Sequence, residues 1–490
     1  MKQTASALRR LVSACLLATL AACAEYGTTM TGTTEKLRTG AVEDAIASHE
    51  KTYDGATGRS RDLLYYLESG ELQRARDGGL DASTQSWLQA DELVKGWEDE
   101  ARGKLQKSVS TLGAWLLDDS LARYDGQDYE KVMLNTNLAE NHLTKGDWQS
   151  ARVEIRKMYE REALIASLRE KQVDALAARE QESGVKANQT QISDIKGYPV
   201  EIFDDPEVTR LRNSYQSAAS HYLAGFVFEA LNEQSLAAAG YRQAIELRPD
   251  VPALRGGLEH LGTVPPAGQT DVLVLLETGL VPVRDSMKVT LPVPLGSGVK
   301  LLTTAYPVIH PAPDNYAPGN IELGGTLVPT AVVTNLDAMA RRALKDDMPL
   351  MITRSMTRMA VSGAAQEALQ HNSSSGLGSL MSLAVGIASA ATASTDTREW
   401  RTLPGYISIA RVTVKSGQQT LAFDTPHGRF SANVNVAGPR QVILVRPLGT
   451  RLEVLASLPG DLPLQAAAAP AKLPKGKPKM ANFTQSDAAQ

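Results

Sequence analysis

Along residues 41–262 apolar positions recur three and four apart, charges fill the intervals and β-branched runs are scarce. That period predicts amphipathic helices. After Val264-Pro265-Pro266-Ala267-Gly268 the period changes. Asp271-Val272-Leu273-Val274-Leu275-Leu276-Glu277 has the continuous apolar run of a buried strand. Residues 279–294 alternate and place prolines where edge strands tolerate them, and 299–334 add short strands between Gly and Pro turns. A helix begins at Asn335-Leu336-Asp337, where Asn335 or Asp337 is a suitable cap, and it carries Ala340, Leu344, Met351, Ile352, Met356 and Met359 on one face. Strands resume at 406–414, 420–423, 429–436 and 441–447.

The pattern predicts an α+β multidomain chain. An all-α domain at 41–262 is followed by a β-rich, sandwich-like domain at 269–460 with a helical insertion at about 336–395. Residues 461–490 are Ala-, Pro- and Lys-rich and read as a disordered tail.

Within the helical part, Gly225, Phe228, Ala237, Tyr241, Ala244 and Pro249 are separated by 3, 9, 4, 3 and 5 residues, the spacing of a tetratricopeptide (TPR) repeat. Gly and Ala stand where two helices touch, aromatics fill the space between repeats and Pro ends the second helix. Weaker copies are Leu138 and Ala139 before Lys145-Gly146-Asp147-Trp148-Gln149-Ser150-Ala151, and Tyr65 to Gly70 before Trp87 and Ala90. The expectation is a TPR-like helical solenoid, interrupted at 183–206, whose inner face is the default surface for a peptide or helix.

The first residues follow the order of an export signal. Lys2, Arg9 and Arg10 precede a short apolar stretch, Leu11 to Leu20, too short to span a bilayer. Leu20-Ala21-Ala22-Cys23 then places small residues before a thiol that can carry a diacylglycerol. Residues 1–22 are therefore expected to be a lipoprotein signal peptide, with lipidation at Cys23 and residues 23–40 a Gly/Thr-rich flexible tether. Ala24, rather than aspartate, after the cysteine favours the periplasmic face of the outer membrane. Cys15 leaves with the signal, so no disulfide braces the fold.

Net charge is −4, and −7 once Lys2, Arg9 and Arg10 are removed, with no basic concentration of the kind nucleic acid requires. The seven histidines (His49, His142, His221, His260, His310, His371, His427) are scattered. No metal, cofactor, Walker, dinucleotide or G-x-S-x-G signature occurs. Neither enzyme activity nor a cofactor is expected.

Three other features stand out. Asn372 to Thr395 contains 24 uncharged residues, Ala/Gly/Ser-rich, for which a buried helix is favoured over oligomerisation or membrane contact. Met348, Met351, Met356 and Met359 suit core packing better than an adaptable binding face. Asp396 to Pro404 suits a lock between insertion and sheet, built on a buried Arg–Asp pair, better than a partner site.

Glu277 to Pro282, Ala340 to Leu344 leading to Pro349 and Thr353-Arg354, and Asp396 to Pro404 ending in Trp-Arg-Thr-Leu-Pro resemble segments of an uncharacterised family of proteobacterial TPR-containing periplasmic lipoproteins. The resemblance implies a lipid-anchored scaffold for protein partners in cell-envelope assembly, because such proteins are grouped with envelope lipoproteins that look like activators of peptidoglycan synthases. It implies no catalytic residues. An oligomeric or membrane-contacting part of an export or surface-polymer apparatus is the alternative.

Overall fold

The structure is a computed structural model. It describes residues 27, 30–53, 60–105, 123–183, 195, 197–295, 298–312, 314–371 and 395–463. Cys23, residues 1–22, most of 372–395 and the tail after residue 463 lie outside the described residues.

The fold is α+β with its helices N-terminal. Three helical hairpins form the first layer: α2 (Leu63–Arg74) with α3 (Leu80–Leu105), α4 (Asp128–Thr144) with α5 (Trp148–Ser183), and α7 (Ala218–Ala230) with α8 (Gln234–Leu247). A shorter α1 (Val42–Thr52) precedes them, and α6 (Pro206–Thr209) and α9 (Gly256–Glu259) are single turns. Polar side chains cap α2 and α7. Asp62 accepts from the Tyr65 amide, and the Ser217 side chain accepts from Ser220 N–H, satisfying donors that have no partner inside the helix.

Gly225 lies directly under Tyr241: a Cβ there would meet the ring at 2.6 Å. Gly70 lies under Trp87 in the same way, with a Cβ only 2.1 Å from the indole nitrogen. Ala139 and Ile155, both buried, occupy the corresponding places in the middle hairpin. Phe228, Ala237, Tyr241 and Ala244 are all buried between α7 and α8, and Pro249 follows the end of α8.

The second layer is a five-stranded sheet. Its strands are β1 (Gln269–Thr278), β6 (Ala331–Asn335), β7 (Tyr406–Lys415), β10 (Arg440–Leu448) and β11 (Arg451–Ala456), in the order β11-β10-β1-β7-β6. Only β1 and β10 run parallel. The third layer is a four-stranded sheet of β4 (Asn320–Leu323), β5 (Thr326–Pro329), β8 (Gly417–Thr425) and β9 (Gly428–Val436), ordered β5-β4-β8-β9. β2 (Arg284–Leu295) and β3 (Gly298–Ile309) form a separate ribbon packed on the long helix α10 (Leu336–His371). The Asn335 side chain caps α10 by accepting from Ala338 N–H at 2.9 Å.

The five-stranded sheet is covered on both faces, which is why β1 is apolar without a break. Leu273, Leu275, Ile407, Ile409, Val442 and Leu444 share one core with the helices. Val272, Val274, Leu276, Ala410, Ile443 and Val445 share another with Leu323, Leu421, Phe423 and Val434 of the four-stranded sheet. The helical and β parts therefore have a core in common across the 264–268 connection.

Several expectations change. Within the stretch expected as a flexible tether, residues 30–38 are helical, with Met30 and Leu37 buried. Their seven-residue spacing puts both on one face. Residues 461–463, expected in a disordered tail, are part of the described fold. Asp461 accepts from the Trp148 and Gln149 amides at 2.8 and 3.3 Å, and the Trp148 indole donates to Leu458 O at 2.8 Å. β11 is an additional strand. Met348 is buried and Met351 packs against the same core.

Two outcomes follow from this packing. Gly70→Ala is expected to lower stability by about 3 kcal/mol through overpacking against Trp87, read as a reduced urea midpoint. Asp461→Ala removes a cap supplied 312 residues away in sequence and is expected to cost about 1 kcal/mol, with faster amide exchange in the first turn of α5.

Candidate functional site

The first helix of each hairpin, α2, α4 and α7, is buried almost throughout. The chain's own sheet and the segment 399–403 fill the face that a repeat array would present to a peptide. Trp400 N–H donates to Glu130 Oε1 at 2.7 Å, and Arg401 N–H to Glu68 Oε1 at 2.7 Å. Thr402 donates through its amide (3.2 Å) and hydroxyl (2.5 Å) to Glu68 Oε2. The Trp400 ring meets Trp87 edge-on at 6.0 Å. The lock expected at 396–404 thus exists in a different form. Arg398 forms an ion pair with nearby Asp396 and lies over the Tyr124 ring, and two helix glutamates hold the turn backbone of 400–402 instead.

Two ionic clusters flank the apolar centre of the sheet. At one end Arg74 of α2 pairs with Glu71, Glu140 and Glu277, each at 2.8 Å. Arg446 of β10 pairs with Glu71 and donates to Thr402 O. Glu453 of β11 lies beside them, buried, with both oxygens unbonded among the described residues. Four carboxyls thus face two guanidiniums, and burial raises the pKa of Glu140, Glu277 and Glu453. Burial also pushes Glu68 up to about 7 and Glu399 up to about 8.

At the other end the charges balance. Arg411 of β7 pairs with Asp271 at 2.6 Å and Glu229 at 2.9 Å, and donates to Tyr241 Oη at 3.0 Å. Arg440 pairs with Asp271 at 2.5 Å and Glu229 at 2.8 Å. Tyr241 Oη–H in turn donates to Glu229 at 2.6 Å, so this tyrosine is a rivet between α8, α7 and the sheet.

Beside this tetrad lies a cavity of about 410 Å³. Its walls are Tyr222, Ala253, Gly256 and His260 on the helical side and Val328 and Pro329 on the side of the four-stranded sheet, with Ile409 to Thr413 along its base. A second cavity of about 510 Å³ lies between α5 and α10 and is lined by Val173, Leu176, Tyr215 and Pro349.

The histidines stay apart. His49 bonds Ser69 Oγ at 3.0 Å, and burial lowers its pKa to about 4. His221 is enclosed beside Tyr159 and Glu162. Among the described residues no group of three or more His, Cys, Asp or Glu could hold a metal, and no helix is long and apolar enough to cross a membrane.

Sequence reading missed the ionic clusters, although they leave a signal. Asp271 and Glu277 bracket β1, Arg440 and Arg446 bracket β10, and the parallel register sets Asp271 opposite Arg440. No known protein family matches the chain, and no characterised protein or solved structure is similar to it.

The buried carboxyls with raised pKa give a pH dependence. A carboxyl whose pKa is raised on folding is held neutral in the fold. Its contribution is complete below the unfolded value near 4.5 and is lost as pH rises through about 7 for Glu68 and about 8 for Glu399. The urea midpoint is expected to fall between pH 5 and pH 9. Glu453→Gln removes one such group without breaking a hydrogen bond, so its advantage over the parent should grow with pH, by at most about 1.4 kcal/mol per unit. A pH-independent difference would remove Glu453 from this account.

Proposed function

We propose that the chain is a protein-binding scaffold on the periplasmic face of the outer membrane, anchored by acyl chains on Cys23 and serving cell-envelope assembly. The observation that carries this reading is the order basic residues, short apolar stretch, Leu20-Ala21-Ala22-Cys23, with the first described residue at Gly27. Three residues separate that glycine from the thiol, and the four peptide steps can span at most about 14 Å, so the body sits close to the bilayer surface. Two or three acyl chains make such an anchor stable, each buried methylene contributing about 0.8 kcal/mol.

In this reading the three hairpins are a divergent TPR array and the two sheets a sandwich fused to its inner face. The Gly225–Tyr241 and Gly70–Trp87 contacts support the array. Partners then bind at the outer helix faces and the layer edges, because the array's own groove is taken. The resemblance to proteobacterial TPR lipoproteins points to the same compartment.

Cys23→Ser is expected to shift the protein from the membrane to the soluble fraction and to abolish the acyl mass increment. Unchanged fractionation would remove the anchor. Envelope cross-linking should recover a specific protein partner, and none across several growth states would count against the scaffold.

The alternative, an oligomeric or membrane-contacting component, draws on the β2–β3 ribbon, a two-stranded sheet of its own packed on the helix that leads into 372–395. A monomeric native mass would oppose it.

A further inference from the structure

β7 runs from Tyr406 to Lys415 and pairs with β1 along its whole length. On its other side β6 covers only Tyr406 to Ile409. Before Ala331 the chain turns into β5 of the other sheet, and Thr330 N–H bonds Gly319 O there. Among the described residues no strand pairs with Ala410 to Lys415 on that side. The 410 Å³ cavity lies along this stretch, and five consecutive β7 residues, Ile409 to Thr413, line it. Successive side chains point to opposite faces of a sheet, so a cavity that touches five in a row meets the strand along its edge.

The geometry is a slot between two layers. Tyr222, Ala253 and Gly256 stand on the helical side, Val328 and Pro329 on the other, and both walls are largely apolar. The base is held in place by Arg411, whose guanidinium hydrogen bonds go to Asp271, Glu229 and Tyr241. Those bonds leave no free charge at the base to attract an ionic ligand. The open strand edge calls for peptide amides and carbonyls in an extended conformation.

We propose that this slot binds an extended apolar segment of a partner protein as an added strand, continuing the sheet where β6 stops. The segment would pair with Ala410 to Lys415 and alternate its side chains between the two apolar walls. An edge of six residues accommodates about 20 Å of strand. The inference deepens the scaffold reading and rests on it for its biology, but the site is testable without the membrane anchor.

The probe is a displayed library of random octapeptides, panned against the purified full chain and an unrelated control protein. One enriched peptide is then synthesised in two copies, N-methylated on alternate amides in opposite phases. Strand addition predicts at least a tenfold affinity loss for one phase and little for the other. Gly256→Trp supplies the second arm. A Cβ at Gly256 meets only His260 Nδ1 at 4.0 Å, so the indole can enter the slot without disturbing the backbone. This variant should melt like the parent and lose peptide binding at least tenfold.

The proposal is overturned if no peptide is enriched over the control, if both methylated phases bind like the parent peptide, or if a folded Gly256→Trp chain keeps full affinity. Binding that appears only after removal of residues 464–490 would assign the slot to the chain's own C-terminal segment. A dimer that Gly256→Trp dissolves would assign it to a second copy. Either result also overturns the partner proposal. Loss of the Cys23 anchor in cells, with peptide binding intact, would leave this site standing and remove only the scaffold's location.

Discussion

The helix-facing side of the central sheet is apolar in its middle and ionic at both ends. Leu273, Leu275, Val442 and Leu444 form the middle. Asp271 and Arg440 close one end against Glu229 of α7, while Glu277 and Arg446 close the other against Arg74 and Glu71 of α2. Buried ion pairs add little net stability, because desolvation offsets their attraction. Breaking one leaves an uncompensated buried charge and costs about 3–5 kcal/mol. The apolar middle alone would tolerate sliding of the sheet along the helices. The charged ends reject every register but one, because a shift would leave guanidiniums and carboxyls buried apart.

That constraint explains the rest of the architecture. With the sheet seated between the hairpins, the inner helix face cannot receive another molecule, so α2, α4 and α7 have become interior helices. The segment 399–403 seals the seam by giving its amides to Glu68 and Glu130. Glu130 also binds the Gln127 amide at the start of α4, so one carboxylate both begins a helix and holds the crossing chain. Asp461 does the same for α5 from the far end of the sequence. The edges of the layers remain, and the half of β7 that has no strand partner on one side among the described residues is where one edge meets a cavity.

Much of this was legible in the residues. The change of period at Val264 to Gly268 separates helices from strands, and β1, α10 and β7 to β10 fall close to where the pattern puts them. Gly225 and Tyr241 touch as their spacing implies, and Gly70 and Trp87 repeat the contact. The Gly/Thr-rich stretch before residue 40 misled, because composition suggested a coil while Met30 and Leu37 carried a helical face. The Arg398–Asp396 pair misled too: its two members satisfy each other locally, and the real lock uses backbone amides, which every sequence has.

The sequence by itself determined the elements, the three hairpins and the apolar run of each central strand, because periodicity and small-residue spacing are local properties. It also supplied the expected anchor, whose order of residues needs no fold to be read. Only the tertiary structure decided that the sheet packs against α2, α4 and α7, that charges from β1, β7, β10, β11 and three helices meet in two buried clusters, and that half of β7 has no strand partner on one side among the described residues. Those facts depend on which surfaces face one another across hundreds of residues, and no local pattern encodes the pairing of surfaces.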